Sequence, residues 1–341
     1  MGAMANHERE DHRLQGEEAV IRVLAPLAEG YAGAFGLKDD CALLTPEPGT
    51  ELVLKTDPIA EGVHFLPDDA PEDIAWKALA VNVSDLAAKA ARPVAYLMAL
   101  SFPQAPTLAW LSRFADGLRT AQQRFGCHLI GGDTDRRPGP ITITVTIIGA
   151  VVQGGMLRRG TARAGDTVFV SGSLGDAALG LALRKDPALA TAWGLSEAEA
   201  EHLRRRYLRP EPHLALGAAL REHASAAMDI SDGLAKDLAR MCAASDCAAR
   251  VHLLSIPLSA AAAKVLVADP ALTDRIISGG DDYEVLATVP AASAQAFASA
   301  AKAAGVPVTE IGTVGAGSGI VIEGPDGQAL TIDRSGWDHF L

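Results

Sequence analysis

Three things are scarce in this chain of 341 residues: positive charge, cysteine and long apolar runs. Lys and Arg number 30 against 42 Asp and Glu, a formal net charge of −12. That balance excludes nucleic acid as a main partner, because phosphate backbones select basic surfaces. Anionic small molecules stay compatible where metal ions offset the acids. The four cysteines, Cys41, Cys127, Cys242 and Cys247, form no CxxC pair. They speak for a reduced, cytoplasmic chain and against structural zinc. No uncharged apolar run reaches the roughly 18 residues of a membrane span, and no basic-then-apolar leader indicates secretion. The opening MGAM reads as an expression remnant and takes no part in the fold reasoning. GxxxxGK[ST], GxSxG, HExxH and the kinase HRD set are all missing, which excludes a P-loop enzyme and the familiar hydrolase and protein-kinase chemistries.

Apolar residues make up 49% of the chain, ample for buried cores in the two domains this length allows. The stretch Val81–Pro93 organises the rest. Asn82 and Asp85 are three apart, and Asp85 and Lys89 four apart, so in a helix they share one face. Ala, Val and Leu fill most other positions, which predicts a buried helix, and a carboxylate buried there needs a partner. Asp229–Lys236 repeats the pattern, with Ser, Asp, Ala and Lys identical at matching positions. Two apolar helices that each start with an acid suggest one shared charged partner, for which a divalent cation is the natural candidate.

Periodicity predicts an amphipathic helix over 17–27, then Asp39 and Asp40 leading into an apolar strand. A strand over 51–56 is closed by Asp57, and the loop 58–67 carries His64. The central helix covers 71–91 and a second helix 107–125. Strands follow at 94–102, 128–130 and 141–152, the last with Ile/Val alternating with Thr. This predicts a layered α/β domain with helices on one side of a sheet. The Gly- and Arg-rich stretch 153–166 marks the junction, giving domains 12–152 and 153–341. The second reads as α/β too, with strands at 167–171, 226–228, 285–289 and 308–314. Its helices fall at 177–184, 196–207, 213–223, 233–244 and 291–304, the second opening on a Ser196/Glu199 capping pair.

Acids stand at strand ends or helix starts at six places: Asp39/Asp40, Asp57, Asp85, Asp133, Asp229/Asp232 and Asp281/Asp282. Such ends are where α/β proteins place their sites. Magnesium takes oxygen ligands, usually one or two carboxylates plus substrate phosphates, so the set suits several magnesium ions and a polyphosphate. Taken singly, each Asp is equally a turn or N-cap residue. Gly131-Gly132-Asp133 either lets the backbone approach a phosphate or is a plain turn. Gly172–Gly175 reads as a tight strand–helix turn ahead of an anion site. Arg158, Arg159 and Arg163 either bind phosphate oxygens or form a solvated linker. His64 lies in a loop, where histidine is more often surface than functional, yet beside the acids. Trp337 reads as a core anchor ahead of a stacking plate, and Ser231 as a helix cap ahead of a phosphate contact.

The pieces DDCALL (39–44), KTDPIAEGVHF (55–65), WKALAVNVSDLAAKAARP (76–93), LIGGDT (129–134), DISDGLAKDL (229–238), SGGDDYE (278–284) and GWDHF (336–340) run the length of the chain. Together they resemble the thiamine-monophosphate kinase family, within the superfamily that includes aminoimidazole ribonucleotide synthetase and selenophosphate synthetase. The resemblance implies a two-domain aminoimidazole ribonucleotide synthetase-like fold, of the α/β (α+β) class. Its N-terminal domain would carry ATP, magnesium and the contact of a homodimer, and its C-terminal domain would complete the site. The implied reaction is transfer of the ATP γ-phosphoryl group onto thiamine monophosphate, giving thiamine diphosphate, with no covalent nucleophile. Several Mg2+ ions would be held by Asp39, Asp40, Thr56, Asp57, Asp85, Asp133, Asp229 and Asp232. Gly132, Asp133, Arg159 and Ser231 would contact ATP, and His64, Asp281 and Trp337 the thiamine side. Two positions depart from the family pattern. Lys38 stands where Gly is usual, which predicts a weakened or shifted metal contact, and Asp281 stands where Glu is usual, which predicts little change. The rivals are a sister ATP-using synthetase, separated by the His64 and Trp337 pair, and a non-catalytic nucleotide-binding protein, opposed by the full acid set.

Overall fold

The computed structural model describes residues 12–330 together with Gly336 and Trp337. By their contacts these residues fall into two units. One takes the described residues up to Val83 and Arg92–Gly154; the other takes Ser84–Ala91 and the described residues from Gly155 onward.

The first unit opens with α1 (Glu17–Leu24) and is built on a four-stranded sheet in the order β1-β4-β2-β3. The strands are β1 (Thr50–Ala60), β2 (Arg92–Phe102), β3 (His128–Arg136) and β4 (Thr142–Val152); β2 and β3 are parallel and the other pairs antiparallel. Alternation decides the faces. Val53, Ile59, Ile143, Val145, Ile147, Met98 and Leu100 are buried. The opposite row, with Leu52, Leu54, Leu97 and Val152, is exposed. The helices are α2 (Pro71–Ala88), whose last residues group with the second unit, and α3 (Leu108–Phe125). Thr107 caps α3, its Oγ1 accepting the Trp110 N–H at 3.1 Å, and Gly126, at φ 72°, ends it. The two helices meet at Gly117, where a Cβ would come within 2.5 Å of the Glu72 carbonyl oxygen. Along the rest of α2 nearly every side chain is buried, as an apolar helix without a polar face requires.

Three expectations for this unit are corrected. Asp39–Leu44 is irregular rather than a strand, and Leu43 is 60% exposed. Asp57 does not close β1, which runs on to Ala60. Gly131-Gly132-Asp133 is neither turn nor loop but the interior of β3. The pairing of β2 with β3 slips after Tyr96, and a Cβ on Gly132 would sit 1.9 Å from the Met98 carbonyl oxygen. Glycine is needed there because one strand presses on its neighbour.

The second unit holds a six-stranded sheet in the order β10-β7-β9-β5-β8-β6, antiparallel except between β10 and β7. Its strands are β5 (Asp166–Ser171), β6 (Ala226–Ile230), β7 (Ala248–His252), β8 (Glu284–Pro290), β9 (Val308–Gly315) and β10 (Gly319–Glu323). Seven helices matter: α4 (Asp176–Lys185), α5 (Glu197–Leu208), α6 (Gly217–His223), α7 (Leu234–Ala244), α8 (Ala260–Ala268), α9 (Thr273–Ser278) and α10 (Ala294–Ala303). The central strands are apolar on both faces because both are covered. Val168, Val170, Met228 and Ile230 pack with Leu234 and Leu238 of α7; Phe169, Ala227 and Val285 pack with Leu220 of α6 and Phe297 of α10. The expected capping box forms at α5, between Ser196 and Glu199, an arrangement that contributes about 1 kcal/mol to a helix start.

Candidate functional site

The two echoing strings adopt different backbones. Asp85 lies in the last turn of α2, not at its start. Asp229 belongs to β6, and Asp232 to the loop that follows, since α7 begins only at Leu234. The expectation of two helices that each open on an acid is therefore corrected. The cause is local. Leu86 is fully buried inside its helix, whereas its counterpart Gly233 takes φ 111° at the N-cap where the loop enters α7. A Cβ on Gly233 would meet the Ser278 backbone at 2.7 Å, so the loop needs a glycine there.

In the first unit, Asn82 sets Asp57. Its Oδ1 accepts the Asp57 N–H at 3.0 Å while its Nδ2 donates to the Ala78 carbonyl, and Asp57 Oδ2 lies 3.0 Å from Lys55 Nζ. Thr56 faces the open row of the sheet and shares a 3.0 Å hydroxyl contact with Thr146. His64 Nδ1 accepts the Ala60 N–H at 3.0 Å, which leaves Nε2 to carry the proton of the neutral ring. Asp39, Asp40, Gly132 and Asp133 are exposed. Asp39 accepts the Cys41 N–H at 3.3 Å and Asp133 the Thr134 N–H at 2.8 Å. Lys38 sits at φ −108° and ψ −2°, a conformation open to any residue. The glycine this loop needs is Gly33, whose Cβ would lie 1.9 Å from the Leu43 carbonyl oxygen.

In the second unit, the loop Ile230–Gly233 gathers two distant pieces of sequence. The Ile230 carbonyl accepts the Tyr283 N–H at 2.8 Å, the Ser231 carbonyl the Asp281 N–H at 2.9 Å, and the Asp232 carbonyl the Trp337 N–H at 3.0 Å. Asp229, Ser231, Asp232, Asp281 and Trp337 are thus brought together. Asp281 (φ 71°) and Tyr283 (φ 52°) both hold left-handed conformations that cost a non-glycine residue energy, and the Tyr283 hydroxyl donates to Asp281 Oδ1 at 3.1 Å. Trp337 is 50% exposed, which corrects its reading as a core anchor. Ser231 does not cap α7, whose cap position is Gly233 without a side-chain bond. Its N–H and that of Asp232 instead donate to Asp237 Oδ2 at 3.0 and 2.9 Å. Asp237 is wholly buried, and burial pushes its carboxyl above the ordinary value against the pull of the Asp232 N–H and Arg240. Asp232 is itself engaged: Oδ2 lies 2.5 Å from Arg240 Nη1 and 3.6 Å from Lys236 Nζ. The end of α2 docks on the same unit, Ser84 Oγ meeting the Tyr283 carbonyl at 3.5 Å and Lys89 Nζ the Ala227 carbonyl at 2.7 Å.

Beneath this lies a buried set of acids, of which the sequence marked Asp282 but not Asp176 or Glu284. Both oxygens of Asp282 accept the Gly175 N–H, at 2.9 and 3.0 Å, and burial pushes its carboxyl well up. Burial acts on Glu284 as well, but His213, Arg206 and Ser171 outweigh it and hold that carboxyl below the usual range. Asp176, also buried, is pulled down by His202, Ser259 and Ser173. The turn before α4 is therefore filled by the chain's own carboxylates, as the tight-turn reading of Gly172–Gly175 expects. Arg158, Arg159 and Arg163 are exposed, and Arg159 opens a short 3-10 turn.

Among the described residues, no three His, Cys, Asp or Glu side chains converge into a group that would hold a metal by themselves. The donors the sequence offers are oxygens, the chemistry magnesium selects, and one or two carboxylates beside substrate phosphates satisfy it. Asp232 fits less directly, because a metal there competes with Arg240. Asp237 and Tyr283, the residues that shape the loops, left one signal in the sequence: both belong to strings that also carry the chemical acids.

Residues 38–151 match the family model described as AIR synthase related protein, N-terminal domain, and residues 163–324 match its C-terminal counterpart. A thiamine-monophosphate kinase of Escherichia coli O157:H7 is 43% identical over 311 residues, covering 90% of this chain and 92% of that protein. The crystal structure of thiamine-monophosphate kinase from Stenotrophomonas maltophilia K279a superposes with a TM-score of 0.81 at 41% identity, covering 94% of this chain and all 100% of that one. A structure described as AaThiL complexed with AMPPCP and TMP gives 0.73 at 30% identity, over 96% and 99% of the two chains. With both domains matched, and with such relatives along most of its length, the chain belongs to the thiamine-monophosphate kinase family.

Proposed function

We infer that this chain is an ATP-dependent kinase that phosphorylates thiamine monophosphate to thiamine diphosphate, a step of thiamine biosynthesis. The observation that carries the reading is the hydrogen-bonded gathering of Asp229–Asp232, Asp281 and the half-exposed Trp337 in one unit. The indole offers a face to an aromatic ring, and the neighbouring acids and serine suit a phosphate side. In the relative complexed with AMPPCP and TMP, an ATP analogue and the second substrate are bound together.

The chemistry asks little of a base. The acceptor is already an anionic phosphate, and the barrier lies in bringing two polyanions into line. Magnesium, when bound, supplies cancellation of that repulsion and of charge on the transferring group. Asp39 or Asp40, Thr56, Asp57, Asp85, Asp133, Asp229 and Asp232 are the residues that would hold it. Asn82 orients Asp57 through its backbone, and Asp237 orients Ser231 and Asp232 in the same way. Gly132, Asp133, Arg159 and Ser231 belong on the ATP side, and His64, Asp281 and Trp337 on the thiamine side. Tyr283 aims Asp281 by its hydroxyl. No residue is assigned as a nucleophile, since direct in-line transfer needs none.

A homodimer is supported by the apolar row Leu52, Leu54, Leu97 and Val152, which the first sheet leaves exposed. A cytoplasmic setting is supported by four cysteines that stay free; among the described residues, no helix is long and apolar enough to cross a membrane. The test is a phosphoryl-transfer assay with ATP, magnesium and thiamine monophosphate. Thiamine diphosphate that requires all three is the expected result. A folded protein that binds ATP and makes none overturns the reading.

A further inference from the structure

Asp237 touches neither substrate in the reading above, yet Ser231, Asp232, Asp281 and Trp337 all hang from what it holds. One carboxylate oxygen receives the N–H groups of both Ser231 and Asp232, at 3.0 and 2.9 Å, and the other receives Arg240 at 2.9 Å. The carbonyls of the same two residues then carry Asp281 and Trp337. The packing leaves no slack between these pieces. A Cβ on Gly280 would lie 2.5 Å from the Ser231 carbonyl oxygen, and one on Gly336 would lie 2.6 Å from the Asp232 carbonyl oxygen and 2.6 Å from Lys236 Cβ. Lys236 closes the arrangement by donating to the Trp337 carbonyl. A shift of the Ser231–Asp232 peptide therefore moves the loop before β8, and Gly336 and Trp337, with it.

We propose that Asp237 is a positioning residue that couples the two sides of the site, setting Ser231 and Asp232 for the nucleotide and, through their carbonyls, Asp281 and Trp337 for the thiamine substrate. The proposal rests on the kinase reading for the identity of the substrates but not for the coupling itself. A residue that served only as packing would lower stability and leave the folded enzyme's two KM values alone. A coupling residue moves both together.

The test uses the full chain with Asp237→Ala and Asp237→Asn. Loss of the acceptor for two N–H groups should raise KM for ATP and for thiamine monophosphate together, each by about tenfold. The amide of Asp237→Asn keeps an oxygen for those N–H groups and loses only the charged bond from Arg240, so both KM values should rise by only about two- to threefold. A second readout needs no turnover: iodide quenching of the Trp337 fluorescence, taken as the difference from a Trp337→Phe chain, should increase in Asp237→Ala and be largely restored in Asp237→Asn. Unchanged KM values and quenching with lowered stability overturn the proposal. So does a change confined to one substrate. If Asp237→Ala does not fold, Asp237→Asn decides, and KM values that fail to move together overturn it. If the unaltered chain makes no thiamine diphosphate, the kinase reading falls while the quenching comparison still decides the coupling.

Discussion

The strings Asn82–Lys89 and Asp229–Lys236 share Ser, Asp, Ala and Lys at matching positions, yet one is helix up to Ala88 and the other is strand, loop and helix in eight residues. The split follows from one position. Buried Leu86 sits inside α2, whereas Gly233, at φ 111°, stands at the N-cap where the loop after β6 enters α7. The lysines end alike: each donates to a backbone carbonyl, Lys89 to Ala227 and Lys236 to Trp337. The acids do not. Asp232 lies in a loop against Arg240, and Asp85 lies half-buried in the last turn of α2. Matching letters conserve what side chains can reach, and the glycine decides where they start from.

The largest expected effect sharpens the difference between the two acids. Asp85→Asn should lower turnover by at least about a thousandfold with an unchanged melting temperature, because on the proposed reading it removes a carboxylate that would hold magnesium in the transition state. Asp232→Asn should cost only about tenfold, since Arg240 already neutralises much of that charge. Steady-state rates on both folded variants check this, and equal losses would break the comparison. Next comes stability. Leu86→Ala empties a fully buried position and should cost about 2–5 kcal/mol in urea unfolding. Gly233→Ala should cost about 1–3 kcal/mol through its backbone angle and its contact with Ser278. If Gly233→Ala proves neutral, the account of why the strings diverge is wrong. The lysines come third. Lys89→Met should cost about 1–2 kcal/mol and leave KM values unchanged, whereas Lys236→Met should raise KM for thiamine monophosphate by about threefold with that for ATP unmoved.

The long elements were legible because their patterns are strong. The buried stretch of α2, the Thr107-capped α3 and the alternating β4 all stand where periodicity puts them, within a few residues. The strands β7 and β10 and the helices α8 and α9 were not foreseen. They are five to nine residues long, too short for a period to declare itself beside Ala-rich neighbours. The Gly131-Gly132 pair misled for a physical reason: glycine marks both turns and close strand contacts, and only the register with β2 tells them apart. The acids that carry the resemblance were visible as letters. What holds them was not, because Asp237 lies inside a helical pattern that gives no sign of its bonds back to the Ser231 and Asp232 N–H groups, and the link from Tyr283 to the Ile230 carbonyl joins residues far apart in sequence.

The smallest effect concerns the position where the family pattern is broken. A glycine at position 38 would matter if the backbone there were left-handed or pressed against a neighbour. Lys38 has φ −108°, and the tight contact in this loop is made by Gly33, whose carbonyl accepts the Leu43 N–H at 2.8 Å. Lys38 is exposed, so its charge acts on Asp39 and Asp40 through solvent. Interactions of that kind are worth about 0.5 kcal/mol, or roughly twofold in affinity. Lys38→Gly should therefore shift the magnesium concentration for half-maximal activity downward by no more than about twofold, and less at high salt. Gly33→Ala should instead disrupt the loop and move the same midpoint much further. A large response at Lys38 with none at Gly33 would return the departure from the family pattern to the metal site itself.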